Sequence, residues 1–209
     1  MAERAPDAGV VAGVLPLPVV DGCALDETRR ALLRPNQPFA DREGRLHRLP
    51  RWFYQVNSWQ DALNTHVTEH FTLSELITLD VREAQGLRVF PRYVPCAITL
   101  LAAHLEVFRQ AVGTFVYVAA NGGYRSPFHA LSDHASPHCW GTAANVYRIG
   151  DDFLDSQERI ERSARVVARV LPAVWTRPYG SDKGFADDHL HLDIGYARLT
   201  PRGLDDDPE

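Results

Sequence analysis

The chain has 209 residues, enough for one substantial hydrophobic core or for one core with a small appendage. Hydrophobic residues make up 45% and charged residues 23%, as in an ordinary soluble globular protein. The formal net charge is -5, so the chain lacks the basic balance of a nucleic-acid-binding protein. We therefore expect no nucleic-acid partner.

The sequence also argues against a membrane protein. No segment reaches the roughly 18 apolar residues of a membrane-spanning helix. Residues 8–20 are apolar, but they include Pro16 and Pro18, and the seven residues before them lack the positively charged n-region of a secretory signal. We expect a cytoplasmic protein without a membrane partner and leave export by another route open. The three cysteines are far apart, so no disulfide framework is expected.

The pattern divides the chain into three parts. Residues 1–65 are predicted to be an irregular N-terminal extension, because six prolines interrupt any long element, although residues 26–33 could form a short helix. Residues 66–200 are regular and are predicted to form the folded domain. Residues 201–209 are predicted to be a frayed acidic tail.

The first regular elements are helical. Thr72 and Glu75 have the spacing of a capping box, which predicts the start of a short helix. Pro95 is predicted to open a long helix, because apolar residues recur at spacings of three and four between positions 94 and 112. Gly113 is predicted to end that helix.

Strands and one more helix follow. Residues 115–118, 174–176 and 189–194 are predicted strands, the last with clean alternation of polar and apolar residues. A helix is predicted to start at Asp155, with Glu158 completing a capping box. Helices packed against a mainly antiparallel sheet give an α+β fold.

The functional signal begins with a histidine pair. His189 and His191 are two residues apart on a predicted strand and therefore point to the same face. Together with His138 from elsewhere in the chain they suit a transition-metal site such as zinc. Histidines on a solvated strand face are the alternative interpretation. Cys139, beside His138, is interpreted as a buried, inert thiol.

Arg125 lies in the stretch Gly-Tyr-Arg-Ser-Pro at 123–127, after the strand predicted at 115–118. An arginine at the exit of a strand can bind a carboxylate through two hydrogen bonds or stabilise an oxyanion. A structural salt bridge at the surface is the alternative, and the sequence leaves both open.

The order and spacing of these motifs resemble the zinc D-Ala-D-Ala peptidase family. That family includes D,D-carboxypeptidases, D,D-dipeptidases and L-Ala-D-Glu endolysins, and it shares its fold with hedgehog signalling domains. The resemblance covers about residues 70–197. It rests on Gly-Tyr-Arg-Ser-Pro at 123–127, Ser-x-His-x-x-Gly-x-Ala-x-Asn at 136–145 and His-Leu-His-Leu-Asp-Ile-Gly at 189–195. It implies a hedgehog/DD-peptidase-like α+β fold, with a mainly antiparallel sheet packed by helices.

The resemblance also implies a role for nine positions. The implied zinc ligands are His138, Asn145 and His191. The implied catalytic residues are Asp188 as general base, His189 as an aid to water activation, and Arg125 as the holder of substrate or oxyanion. The implied substrate-binding residues are Tyr124, Ser126 and Ser136.

Two of these positions depart from the family's pattern. Asn145 stands where the family has a ligand aspartate, and its neutral carbonyl oxygen should lower the affinity for zinc. Asp188 stands where the family has a glutamate, and it is shorter by one methylene group.

Three functions therefore stay open. The first is a zinc-dependent peptidase acting on peptidoglycan-type peptides that contain D-amino acids, as a carboxypeptidase, dipeptidase or endopeptidase. The second is a catalytically impaired or inactive member of the fold that binds a peptide or protein partner. In the third, the polar cluster is surface decoration and the protein has another function.

Overall fold

The structure is a computed structural model, and it describes residues 11–12, 15–181 and 187–204. The strands are β1 (Val11–Ala12), β2 (Pro18–Asp21), β3 (Pro38–Ala40), β4 (Leu46–Arg48), β5 (Trp52–Val56), β6 (Arg92–Pro95), β7 (Val116–Val118), β8 (Ala143–Ile149), β9 (Asp152–Phe153), β10 (Trp175–Thr176) and β11 (Leu190–Asp193). The helices are α1 (Glu27–Leu33), α2 (Trp59–Asn64), α3 (Leu73–Leu76), α4 (Gln85–Arg88), α5 (Ile98–Val112) and α6 (Gln157–Val170).

The described strands form antiparallel sheets, which confirms the predicted α+β class. One sheet has the order β1-β2-β5-β6, and another has the order β10-β11-β8-β7 with β9 paired to β8. β3 and β4 form a separate hairpin. Among the described residues, no helix has both the length and the apolar character needed to cross a membrane.

The structure differs from the prediction that residues 1–65 are irregular. β2 and β5 pair with each other, and β5 pairs with β6 from the predicted domain. Val19 and Tyr54 are buried in the same hydrophobic core as residues far along the chain. Pro18 is tolerated because it is the first residue of its strand. Of the predicted acidic tail, residues 205–209 lie outside the described residues.

Two predicted helix starts are confirmed. α1 begins after Asp26, whose side chain accepts a hydrogen bond from the backbone N–H of Arg29. α3 begins with the predicted capping box, in which the backbone N–H of Thr72 donates to the carboxylate of Glu75. Both caps satisfy backbone donors at a helix N-terminus.

The two long helices begin later than predicted. α5 begins at Ile98, because Pro95 is the last residue of β6, and it ends as predicted at Gly113, which has a φ of 70°. α6 has Ser156 as its N-cap, and its described N-terminus has no side-chain capping bond, so the predicted capping box with Glu158 does not form.

The second sheet separates the core from the candidate site. α5 and α6 pack against its strands β8 and β11, and Leu190 and Leu192 of β11 are fully buried in that core. Successive residues of a strand point to opposite faces. His191 and Asp193 therefore lie on the other face, and Asn145 of β8 is the register partner of His191.

The β3–β4 hairpin packs on the segment that carries His138. The backbone N–H of Ala135 donates to the carbonyl oxygen of Ala40 at 2.7 Å. The indole N–H of Trp140 donates to the carbonyl oxygen of Arg48 at 2.8 Å. The predicted N-terminal extension thus contributes directly to the surroundings of the site.

Candidate functional site

His138 is fully buried on a 3-10 turn that spans Pro137–Trp140. Its Nδ1 lies 2.8 Å from the carbonyl oxygen of Gly123. A carbonyl oxygen only accepts hydrogen bonds, so Nδ1 carries the proton and Nε2 keeps a lone pair. This buried Nε2 atom has no hydrogen-bond partner among the described residues, so its lone pair is available to a ligand.

The loop that holds His138 depends on two adjacent glycines. A Cβ atom added at Gly123 would lie 2.1 Å from the carbonyl oxygen of Leu76, and one at Gly122 would lie 2.6 Å from that of Ala119. The carbonyl of Gly122 also accepts a hydrogen bond from the backbone N–H of Asn145 at 2.7 Å. The same loop therefore positions two of the predicted zinc ligands.

His191 is held between an acid and an amide. Its Nε2 lies 3.0 Å from Oδ2 of Asp193, and its Nδ1 lies 2.9 Å from Oδ1 of Asn145. The other oxygen of Asp193 accepts from the backbone N–H of Gly195 at 2.8 Å. Because a carboxylate accepts, Nε2 of His191 donates, and its Nδ1 is the nitrogen that faces the site.

The predicted zinc ligands are brought together. The ring centroids of His138 and His191 lie 5.2 Å apart, and Asn145 contacts the His191 ring directly. Burial lowers the pKa of His138 well below its usual value, with the positive charge of Arg125 as the next cause. Burial also lowers the pKa of His191, although the hydrogen bond to Asp193 acts to raise it. Both rings are therefore neutral at pH 7, the form that binds metals.

Asp188 and His189 form a pair next to these ligands. Oδ1 of Asp188 lies 2.6 Å from Nδ1 of His189, so Nδ1 donates and Nε2 keeps its lone pair. That Nε2 is buried without a hydrogen-bond partner in the described part of the chain, whereas the side chain of Asp188 is 83% exposed. Burial lowers the pKa of His189, and Asp188 partly opposes the shift. Asp188 is thus placed to orient His189.

Arg125 is buried close to His138. Its backbone N–H donates to the carbonyl oxygen of His138 at 3.3 Å, and its guanidinium donates to that of Asn121 at 3.3 Å. The side chain is only 8% exposed, and burial lowers its pKa to about 10. Arg125 is therefore a buried cation beside the site.

Two of the three predicted substrate-binding residues lie elsewhere. Tyr124 and Ser126 are buried and line a small internal cavity of about 20 Å³. The hydroxyl of Ser126 donates to Glu83 at 2.6 Å, and its backbone N–H donates to the same carboxylate at 2.9 Å. This placement gives no support to a contact between these two residues and a substrate. Ser136 does line the open cleft at the site.

The cleft has a volume of about 520 Å³, and of the three candidate zinc ligands His191 lines it. His191, Asp193 and Ser136 lie along it, and the hairpin turn at residues 41–45 forms one wall. Trp175, Arg177, Gly195 and Tyr196 also line it. The sequence predictions missed the hairpin turn, Trp175 and Arg177. Only spatial proximity connects these residues to the site, and no motif marks them.

Comparisons with known proteins give no assignment. No protein-family model, curated protein or solved structure matches this chain. What the site does must therefore be argued from its own chemistry.

The side chains present are of types that bind zinc, but they supply no negative charge to balance the charge of the ion. His138 offers a buried nitrogen that has no hydrogen-bond partner in the described part of the chain, and Asn145 and His191 present an oxygen and a nitrogen 2.9 Å apart. Within the described residues, no group of three or more His, Cys, Asp or Glu residues is arranged to hold a metal. The third donor here is an amide, so the site supplies two imidazoles and a neutral oxygen.

Cys139 is not part of this donor set. It is 2% exposed, and its thiol lies 3.7 Å from the carbonyl oxygen of Ser126. Burial raises its pKa to about 11, so the thiolate that would bind a metal is not formed near neutral pH. This agrees with its interpretation as an inert thiol.

Proposed function

We propose that this chain is a zinc-dependent, peptidase-like protein with a hedgehog/DD-peptidase-like fold. Its proposed substrates are peptidoglycan-type peptides that contain D-amino acids. The observation that carries the proposal is the buried Nε2 of His138, which has no hydrogen-bond partner among the described residues. The His138 ring lies 5.2 Å, between centroids, from the ring of His191, and His191 in turn contacts Asn145.

Three atoms would hold the metal: Nε2 of His138, Nδ1 of His191 and Oδ1 of Asn145. Asp193 supports this set, because a carboxylate behind a ligand histidine fixes its tautomer and ring orientation. When bound, zinc would supply Lewis-acid chemistry for hydrolysis of a peptide bond. Since Asn145 adds no negative charge, the affinity for zinc should be lower than with an aspartate.

His189 is the best-placed residue for moving a proton. Its Nε2 is buried and carries a lone pair, and the residue directly precedes β11, the strand that carries His191. Asp188 accepts from Nδ1 of His189 and so keeps that lone pair available. In this proposal the general-base role expected for Asp188 passes to His189, and Asp188 orients the ring.

Zinc binding and hydrolysis test the proposal together. Protein stripped of metal by a chelator should take up one zinc ion per chain, and the variant His138→Ala should bind at least ten times more weakly. Hydrolysis of a peptide ending in D-Ala-D-Ala should require zinc and disappear with His138→Ala. Unchanged zinc affinity in His138→Ala would contradict the proposal.

A second candidate function is favoured by the contact between Asn145 and His191. An asparagine amide can present its NH₂ group to Nδ1 of His191 and satisfy the very atom that would bind zinc. The chain would then be an inactive member of the fold that uses the cleft to bind a peptide or protein partner. Binding of the same peptide without zinc and without hydrolysis would distinguish this function from the first.

A further inference from the structure

The strand β10 brings two cleft residues next to the candidate ligands. Trp175 is the register partner of Asp193, and its ring meets that of His191 edge to face at a centroid distance of 5.6 Å. The backbone N–H of Arg177 donates to the carbonyl oxygen of His191 at 3.1 Å. Trp175 and Arg177 both line the cleft. They share this face because they are two residues apart along an extended chain.

The carboxylates that line the cleft already accept hydrogen bonds. Asp41 and Glu43 each accept from the guanidinium of Arg45, and Asp193 accepts from His191 and from the backbone of Gly195. A guanidinium has five N–H donors. Arg177 can therefore bind a ligand carboxylate in addition to its contacts within the protein.

Arg125 is less suited to contact the end of a ligand. Arg125 is 8% exposed, and it is not among the residues that line the cleft. Arg177 is instead at the cleft surface, beside the 52% exposed ring of Trp175.

We infer that Arg177 binds the free C-terminal carboxylate of a peptide in the cleft, while the ring of Trp175 packs against the last side chain of that peptide. The inference rests on the proposed function and narrows it to the carboxypeptidase mode. An endopeptidase has no free carboxylate at this position.

Three peptides at neutral pH test this assignment. The probes are acetyl-Lys-D-Ala-D-Ala, its C-terminal amide, and the amide of acetyl-Lys-D-Glu-D-Ala, which carries its carboxylate on a side chain. Dissociation constants are measured by calorimetry, with zinc and after removal of metal, for the full chain and for Arg177→Gln and Arg177→Lys. Arg165→Gln removes the same charge from the exposed surface of α6 and serves as control.

We expect the full chain to bind the free acid at least tenfold more tightly than either amide. Arg177→Gln should abolish this preference, Arg177→Lys should restore part of it, and Arg165→Gln should leave it intact. The zinc affinity of Arg165→Gln should stay within threefold of that of the full chain.

Several results would overturn the inference. These are equal affinity for acid and amide, a preference that persists in Arg177→Gln, tight binding of the D-Glu amide, or no binding of any probe. The protein could bind no zinc and still prefer the free acid, with the preference lost in Arg177→Gln. That result would support this inference and contradict the proposed metal chemistry. The two can therefore fail separately.

Discussion

Nε2 of His191 lies 3.0 Å from Oδ2 of Asp193, and this contact fixes which nitrogen of the ring faces the candidate site. The carboxylate accepts from Nε2, so Nδ1 presents its lone pair toward Asn145. The two residues are separated by one position on β11, and both are nearly buried.

The first prediction follows from this contact. In Asp193→Asn the new NH₂ group can donate to Nε2 of His191, which moves the ring proton to the metal-facing Nδ1. We expect the zinc affinity to fall about 10- to 100-fold, the usual range for loss of such a partner. Competition with a chromophoric chelator measures it.

The control for Asp193→Asn is Asp133→Asn. Asp133 also contacts a histidine, His134, but its side chain is 83% exposed and outside the ligand set. The zinc affinity of Asp133→Asn should equal that of the full chain. Equal affinity of Asp193→Asn and the full chain would show that Asp193 does not support a metal ligand.

The second prediction concerns the amide at the third ligand position. Asn145→Asp restores a negative donor 2.9 Å from Nδ1 of His191, so we expect the affinity for zinc to rise at least tenfold. Asn57→Asp adds the same charge on the exposed surface and should leave the affinity unchanged. If Asn145→Asp behaves like this control, Asn145 is not at a ligand position.

The third prediction tests the glycine loop. In Gly123→Ala the new Cβ would lie 2.1 Å from the carbonyl oxygen of Leu76. The backbone segments at Gly123 and at Leu76 would therefore have to move apart. We expect a loss of at least about 3 kcal/mol in the free energy of unfolding, measured by urea denaturation.

Gly86→Ala is the matched control for the glycine loop. Its Cβ would lie 3.3 Å from the terminal Cδ1 of Leu32, a flexible contact, so the free energy of unfolding should change by less than about 1 kcal/mol. Similar values for the two variants would mean that the loop can adapt.

The fourth prediction is a pH dependence of stability. The guanidinium of Arg82 is the main cause that lowers the pKa of Asp80 to about 2, against about 3.9 in an unfolded chain. A depressed carboxyl pKa stabilises the fold fully above about pH 4, and this contribution is lost as the pH falls through about 2. The unfolding free energies of the full chain and Asp80→Asn should therefore differ most above pH 4 and converge only below about pH 2. A difference that is independent of pH would contradict this account.

The strand that carries His191 could be predicted because its signal is local. The period-two pattern at residues 189–194 depends only on neighbouring residues, and it correctly assigned His191 to the polar face of β11. The capping box at Thr72 is likewise a local feature. Gly113 ends α5 in a left-handed backbone conformation that glycine favours, which is also a local signal.

The first sheet and the cleft walls could not be predicted because they depend on contacts between distant segments. β2 and β5 are short, and each acquires its order by pairing with a strand more than thirty residues away. The register that sets Asn145 opposite His191 is also tertiary. Burial of Ser126 against Glu83, 43 residues earlier, explains why a residue beside Arg125 is not in the cleft.

Anomalous diffraction at the zinc edge, from crystals of the full chain grown with zinc, tests the central claim most directly. The account predicts one peak at about 2.0–2.1 Å from both Nε2 of His138 and Nδ1 of His191, with the side-chain oxygen of Asn145 also coordinated. A map without a peak between the two histidines, with the amide of Asn145 donating to Nδ1 of His191, would contradict it.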